Sequence, residues 1–274
     1  MEAGPEGIFG GGGVNYIRLI VAFFRLGIMG ETAYRVNFFL QLFQSILSLG
    51  VAVIGLAVVF SYTDLLGGWG PEEILVLVGV YLFAGGIIGL VIQPGMQRFI
   101  ESVRDGTLDF ILAKPEDAQL LVSIQEVNIW SLIDIALGLG VLITALIRLG
   151  EKVGVGQAGE FILMLSAGAI IIYSFFLILA TLSFWFVRVE NILVIFQSMY
   201  EAGRWPVSLY PGWLRYGLTF VIPVAFATTV PAEALTGRLG WETMLIAVAL
   251  ALVLFIASRA FWRIGLRHYS GTSA

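Results

Sequence analysis

The sequence predicts an all-α, polytopic membrane protein with six transmembrane helices, an N-terminal interfacial helix and a re-entrant hairpin before the last span. Hydrophobic residues make up 59% of the 274-residue chain and charged residues only 12%, whereas about a quarter of a soluble domain is charged. Apolar stretches also recur at the length of about 20 residues that a helix needs to cross a bilayer. The candidate spans are Phe38–Phe60, Ile74–Ile92, Leu120–Ile147, Phe161–Val187, Asn191–Leu209 and Trp241–Trp262.

A seventh apolar stretch, Trp213–Pro231, is interrupted by Pro223. A proline inside a helix removes a backbone hydrogen bond and bends or breaks the helix. A full crossing here would also move the arginines of the C-terminal tail to the other side of the membrane. We therefore expect a broken, re-entrant segment over 213–231, which is tolerated at membrane depth where it is buried in protein or wetted.

The distribution of Lys and Arg predicts the orientation, because cytoplasmic loops carry an excess of these residues. Of the 15 Lys and Arg residues, ten fall on one side of the predicted spans and five on the other. The larger group is Arg18, Arg25, Arg35, Arg98, Arg104, Lys114, Arg188, Arg259, Arg263 and Arg267, and the smaller is Arg148, Lys152, Arg204, Arg215 and Arg238. Both termini are therefore expected in the cytoplasm.

The N-terminal region divides into two parts. Residues 1–13 include the run Gly10–Gly13 and have no cationic start of the kind that signal peptides require, so we expect a flexible leader followed by a single transmembrane domain over 14–274. In Asn15–Gly30, the only charges are Arg18 and Arg25, seven residues apart on one helical face. This pattern predicts an interfacial helix over 15–30 along the cytoplasmic leaflet.

Composition excludes several kinds of chemistry. The chain has no cysteine and its only histidine is His268, which excludes thiolate nucleophiles and argues against a histidine-based metal site or catalytic triad. No G-x-x-x-x-G-K-[ST] phosphate loop occurs. We therefore expect no enzyme activity, no metal and no cofactor in this chain, and no nucleic-acid partner.

The loop over 94–117 is the most unusual connection between two predicted spans. Met96, Phe99, Ile100 and Val103 recur at helical spacing with charged residues on the other faces, and Gly106 is placed to end the helix. An amphipathic helix at this position is suited to docking a soluble partner. A solvated loop or one lying on the membrane surface is the alternative.

Two carboxylates, Glu126 and Asp134, fall within the third predicted span and share one helical face. Intramembrane carboxylates are costly and usually face a partner or a wet cavity. Glu126 is close enough to the end of the span to reach the interface. Asp134 is deeper and is the better candidate for a functional contact, with a structural hydrogen bond as the alternative.

The chain resembles permease subunits of the type-2 exporter superfamily of ABC transporters over nearly its whole length, from about Tyr16 onward. More narrowly, it is similar to bacterial permeases that occur beside a second permease and a separate ATPase. The stretches that carry the resemblance are Glu101–Pro115 (ESVRDGTLDFILAKP), Phe184–Asn191 (FWFVRVEN), Glu201–Leu214 (EAGRWPVSLYPGWL), Phe220–Pro231 (FVIPVAFATTVP) and Phe261–Ser273 (FWRIGLRHYSGTS).

The resemblance implies the transmembrane subunit of an ATP-driven exporter in the bacterial inner membrane, with six helices and both termini cytoplasmic. It implies a coupling helix at Gln97–Gly106 and a re-entrant hairpin at Trp213–Pro231. P-loop ATPase subunits would bind ATP and Mg²⁺, and a second permease chain, identical or paralogous, would complete the transporter in contact with membrane lipid. We expect the ATPase to dock on Arg98, Glu101, Arg104, Asp105 and Asp109.

The alternative function is a gradient-driven secondary transporter or channel that uses Asp134 and Glu126 as ion or proton sites. No inverted repeat of the kind such transporters carry is visible in the sequence. The substrate is left open. Apolar walls would suit a lipid or an amphipathic drug, but a bilayer-facing surface has the same composition.

Overall fold

The structure is a computed structural model that describes residues 35–150, 154–186 and 190–269. The predicted leader over 1–13, the predicted interfacial helix over 15–30 and Arg188 lie outside the described residues. Within them the chain is helical without a β-strand, and one isolated bridge joins Leu66 to Trp69. The prediction of an all-α protein is confirmed.

We number the helices of the described ranges in chain order. They are α1 Arg35–Phe60, α2 Pro71–Arg104, α3 Asp109–Leu112, α4 Ala118–Ile124, α5 Leu132–Leu149, α6 Val155–Thr181, α7 Glu190–Tyr200, α8 Gly212–Val221, α9 Val224–Leu235 and α10 Trp241–His268. A π-helical segment, Ile88–Ile92, lies inside α2. Short 3₁₀ turns precede α5 and follow α6 and α7 at Ile129–Ser131, Leu182–Phe184 and Glu201–Arg204.

Five helices of the described chain are long and apolar enough to cross a membrane. They are Phe39–Phe60, Pro71–Arg104, Ile129–Leu149, Val155–Phe184 and Trp241–His268. The pair α8 and α9 makes a sixth if it is counted as one bent span. The polytopic membrane architecture is therefore confirmed.

Two of the predicted spans are shorter in the structure. The third begins at Ile129 rather than Leu120, because α4 ends at Ile124 and the side chain of Asn128 caps the next turn by accepting a 3.1 Å hydrogen bond from the Trp130 amide. The fifth predicted span, Asn191–Leu209, is helical from Glu190 but ends earlier than predicted. The helix α7 and its 3₁₀ turn end at Arg204, and Trp205 is extended, as a residue before a proline usually is.

The predicted re-entrant segment over 213–231 is broken at Pro223. The helices α8 and α9 are bent by 68°, with Ile222 extended immediately before Pro223. Most of α9 is buried, and it packs on α6, where Gly168 lies directly against the Phe226 carbonyl. The absence of a side chain at Gly168 therefore allows the irregular backbone to be covered by protein.

The helices α2 and α5 form the most extensive helix pair of the described chain. A Cβ added at Gly138 of α5 would lie 2.5 Å from the Phe83 nitrogen. Cβ atoms at Gly79 and Gly86 of α2 would lie 2.9 Å and 2.8 Å from the backbone nitrogens of Leu142 and Ile135. Small residues let membrane helices approach closely enough for backbone contact, and here they fix α2 against α5.

A charged contact joins the first loop to the segment after α9. The Arg238 guanidinium donates to both carboxylate oxygens of Glu73, at 2.7 and 2.8 Å, and to the Gly68 carbonyl at 2.7 Å. It also lies 5.1 Å from the ring centroid of the buried Trp69. A bidentate guanidinium contact fixes orientation as well as distance, so this contact holds α9 to the start of α2.

Candidate functional site: a polar cavity and the charged end of α2

The first span carries a polar face in an otherwise apolar helix. Gln41, Gln44, Ser45 and Ser48 follow the spacing i, i+3, i+4, i+7 and so lie on one side of α1. The large apolar side chains exposed on this helix include Phe39, Leu40, Phe43, Ile46, Leu47, Val51, Ile54 and Val58. Because polar side chains are costly to bury without partners, the polar face of α1 requires polar neighbours or water.

That face forms one wall of a cavity of about 490 Å³, within the range of small-molecule sites. The other walls come from α2, from the segment that leads into α5, and from α7 with its 3₁₀ turn. The polar side chains of the lining are Gln41, Gln44, Ser45, Ser48, Tyr81, Gln93, Gln97, Asn128, Ser131, Asp134, Gln197, Tyr200 and Glu201. Polar residues that are far apart in the sequence therefore converge on one space.

Asp134 lies in the wall of this cavity. Its carboxylate accepts hydrogen bonds from the Ser45 hydroxyl at 2.6 Å and from the Gln41 amide nitrogen at 3.2 Å. Both donors are neutral, so they orient the carboxylate without cancelling its charge. The contact also holds the polar face of α1 against the start of α5.

An aromatic group with an arginine bounds the end of the cavity nearest Tyr81. The rings of Tyr81 and Tyr200 stack with centroids 4.9 Å apart, and the Tyr200 hydroxyl donates to the Tyr81 carbonyl at 2.9 Å. The Arg204 guanidinium lies 5.2 Å from the Tyr81 ring centroid and 3.4 Å from the Ser48 hydroxyl. From Tyr81 to Gln97 the lining follows α2 for about 24 Å at 1.5 Å per residue.

The π-helical segment of α2 lies beside the cavity. The Leu90 carbonyl in this segment accepts a 2.9 Å hydrogen bond from the backbone N–H of Asn128, which lies in the non-helical connection before α5. A Cβ at Gly89 would lie 2.8 Å from the Ser131 hydroxyl oxygen. Such π-helical turns are common at functional sites. This one provides a hydrogen-bond acceptor for the non-helical connection between α4 and α5.

The predicted docking residues lie around the end of α2, which we call the charged end (residues 98–109). Arg98 pairs with Glu101 at 3.1 Å, and Arg104 pairs with Asp105 at 3.1 Å. These four side chains are all between about 40% and 55% exposed, so they remain accessible to a partner. Ion pairs at such exposure contribute little stability.

Asp109 begins the short helix α3. It lies beside Tyr269, whose pKa is raised first by burial and then by the nearby Asp109 carboxylate. The charged end therefore contacts the segment after α10. All five predicted docking residues belong to this one surface, and the Gln97–Arg104 part of the predicted coupling helix is continuous with α2 rather than a separate helix.

Glu126 departs from its predicted position. The span starts at Ile129, so Glu126 lies in the break before it, with its side chain 55% exposed and 3.9 Å from the Arg98 guanidinium. It therefore lies outside the third candidate span, on the surface near the charged end. The two carboxylates that the sequence placed on one helical face are separated because the helix is interrupted between them.

Sequence reasoning missed most of the cavity. The signal that was available is the i, i+3, i+4, i+7 pattern on α1, repeated as i, i+4 pairs at Gln93 and Gln97 and at Gln197 and Glu201. What the sequence did not show is that these faces meet. Within the described residues no group of three or more His, Asp or Glu side chains could hold a metal ion.

The family model described as ABC-2 family transporter protein matches residues 46–273. The chain therefore belongs to the ABC-2 transporter family, as the membrane-embedded permease type of ABC transporter protein. No curated protein and no solved structure matches the chain. The resemblance to ABC permeases is thus confirmed at the level of the family.

Proposed function

We propose that this chain is the permease subunit of an ATP-driven exporter, in which it acts with P-loop ATPase subunits and a second permease chain, identical or paralogous. The ATPase subunits bind ATP and its Mg²⁺ ion. Membership of the ABC-2 family supports this proposal. The polar cavity among the spans supplies a route for a solute.

The observation that carries the proposal is the continuity of α2. One helix, Pro71–Arg104, bears lining residues of the cavity, including Tyr81, Gln93 and Gln97, and also the docking residues Arg98 to Arg104. A displacement applied at the charged end would therefore move one wall of the cavity relative to α1 and α7. Coupling of this kind requires that the ATPase contact the charged end differently in the two states of the permease.

We further propose that the protein lies in the bacterial inner membrane with both termini in the cytoplasm. The excess of Lys and Arg on the side of the charged end supports this orientation. In this arrangement α7 with its 3₁₀ turn, over 190–204, makes the sixth crossing, and α8 and α9 form a re-entrant hairpin at the outer face. The 68° bend and the burial of α9 against α6 are consistent with such a hairpin.

The test uses the absence of cysteine from the chain. A Gln44→Cys variant places one thiol in the cavity, and its labelling rate by a polar thiol reagent is measured in the complete transporter with and without ATP. We expect ATP to change this rate. The additional exchange Glu101→Arg with Arg104→Glu should abolish the ATP effect without altering labelling in the absence of ATP.

The matched control is Asp64→Arg, an exposed charge change in the loop between α1 and α2, at the other end of α2. It should leave the ATP effect intact. If the double charge exchange leaves the ATP effect unchanged, the charged end is not the coupling surface. Equal midpoints of thermal unfolding for all variants would exclude loss of folding as the reason for any change in the labelling rate.

Asp134 in the cavity is the one observation that favours a gradient-driven transporter instead. In that case the labelling rate of the Gln44→Cys variant would respond to a pH or ion gradient in the absence of ATP. An Asp134→Asn exchange would abolish that response. We expect no response to a gradient alone.

A further inference from the structure

The lining of the cavity indicates the chemistry of the solute. We propose that the cavity binds a cationic solute that carries hydrogen-bonding groups, such as an amine- or guanidine-bearing polar molecule, in preference to an anion. This proposal rests on the proposed function, because it takes the cavity as the site that the transported solute enters. It concerns the charge selectivity of the cavity, which can be measured without the ATPase.

The charged side chains of the lining are both acidic. Among the residues that the structure describes, they are Asp134 and Glu201, and this lining includes no Lys, Arg or His. In the described part of the chain, no cationic side chain lies within ion-pair distance of either carboxylate. A cleft whose lining carries one sign of charge, between low-dielectric walls, concentrates the opposite ion, and the Arg204 guanidinium bounds only the end at Tyr81. The apolar helices around the cavity supply such walls.

Carboxamides are the most frequent kind of neutral polar side chain in the lining. They are Gln41, Gln44, Gln93, Gln97, Asn128 and Gln197. Each carboxamide both donates and accepts hydrogen bonds, so it can pair with N–H and O–H groups of a polar solute. An acyl chain in this position would leave these groups unpaired, at a cost in free energy. The lipid that apolar walls would suit therefore does not match this lining.

A cationic side chain of the protein itself bounds the end of the cavity at Tyr81, outside the described lining. The Arg204 guanidinium lies over the Tyr81 ring and near the Ser48 hydroxyl. An aromatic face attracts a cation through its quadrupole, most strongly where water is excluded. The aromatic and hydroxyl groups at this end of the cavity therefore suit a guanidinium or ammonium group. The carboxylates of Asp134 and Glu201 do not pair with Arg204 and can bind the cationic group of a solute.

The experiment compares two thiol reagents of opposite charge on single-cysteine variants of the full chain in nanodiscs. Gln44→Cys and Gln197→Cys place the thiol in the cavity, and Ala113→Cys places it on the exposed segment after α3. The reagents are methanethiosulfonates that carry a trimethylammonium or a sulfonate group. The quantity measured is the ratio of the cationic to the anionic labelling rate at each position.

We expect the rate ratio at both cavity positions to exceed the ratio at Ala113→Cys by about tenfold or more. Glu201→Gln, added to Gln44→Cys, should lower the ratio towards that of the surface position, and Asp134→Asn should do the same. Asp64→Asn removes a carboxylate outside the cavity and should leave the ratio unchanged. Glu201 is exposed, so its exchange tests the charge even if Asp134→Asn impairs folding.

Three results would overturn the proposal. These are a cavity ratio equal to the surface ratio, a preference for the sulfonate reagent, and a lack of labelling by either reagent. The measurement involves neither ATP nor a partner. A transporter that fails the ATP-dependent test can therefore still show charge selectivity, and the reverse also holds.

Discussion

Asp117 connects the start of one helix to a distant span. Its carboxylate caps α4 by accepting hydrogen bonds from the backbone N–H groups of Gln119 and Leu120, at 2.9 and 3.2 Å. The same carboxylate accepts a 2.9 Å hydrogen bond from the Arg259 guanidinium of α10. Arg259 also donates to the Gln119 side-chain oxygen at 2.6 Å. The hydrogen bond from Arg259 is the main reason that the pKa of Asp117 is lowered, against the opposing effect of burial.

The first prediction concerns the pH dependence of this contact, tested with Asp117→Asn. Asparagine still caps a helix, so the exchange removes chiefly the ion pair, which is worth at most about 1 kcal/mol because both side chains are about a third exposed. A lowered pKa stabilises the fold fully above the unfolded value near 3.8 and loses that contribution as the pH falls below it. The unfolding midpoint of the variant should therefore be lower than that of the wild type at pH 7, and the difference should shrink as the pH falls below about 4 towards the lowered pKa of the folded state.

Tryptophan fluorescence in detergent reports this unfolding, since the chain has seven tryptophans. Asp64→Asn, at an exposed site in the loop between α1 and α2, serves as the control and should match the wild type at pH 7 and at pH 3. A difference at pH 7 that persists unchanged at pH 3 would contradict the account of Asp117.

At the scale of elements, the contact between α2 and α5 depends on glycines. Gly138 and Gly140 are two residues apart on α5, yet a Cβ at Gly138 would lie 2.5 Å from the Phe83 nitrogen, and nothing lies within 4 Å of a Cβ at Gly140. Gly138→Ala should therefore destabilise the protein by about 1–3 kcal/mol, the usual cost of overpacking. Gly140→Ala should be neutral or stabilising, because alanine favours helix over glycine.

Thermal unfolding of the two alanine variants under one detergent condition checks this prediction. Since the two exchanges are chemically identical, the difference between their midpoints isolates the effect of position. Equal midpoints would show that α2 and α5 do not approach as closely as described.

Element boundaries were predictable where a single residue determines them. The break at Pro223 and the end of the α2 helix close to Gly106 follow from backbone preferences that a sequence displays. Gly106 has φ 69°, which glycine adopts readily. The interruption before α5 was not predictable in this way, because it includes a hydrogen bond from the backbone N–H of Asn128 to the Leu90 carbonyl of another helix.

The site was predictable only in part. Asp134 stood out as a charge in an apolar stretch, and the structure places it in the cavity. The glutamines did not stand out, because a single carboxamide in a span has many structural explanations. Their convergence depends on the packing of α1, α2, α5 and α7, which periodicity along one chain does not specify.

At the scale of the whole molecule, two tethers hold opposite ends of the structure. The Glu73–Arg238 contact joins the start of α2 to the segment after α9, and Asp117–Arg259 joins α4 to α10. Between them, α2 runs along the cavity and ends in exposed charges. This arrangement leaves the charged end accessible while it fixes the other end of α2, as the proposed transmission of a displacement to the cavity requires.

The central claim is that this permease works with an ATPase that docks on the charged end of α2. The most direct measurement is quantitative mass spectrometry of the proteins that co-purify with the chain from its native membrane in mild detergent. We expect a P-loop ATPase in stoichiometric amount, retained with Asp64→Arg and lost with the exchange of Glu101→Arg and Arg104→Glu. Recovery of the chain without an ATPase across several detergents, or an ATPase retained equally by both variants, would contradict the claim.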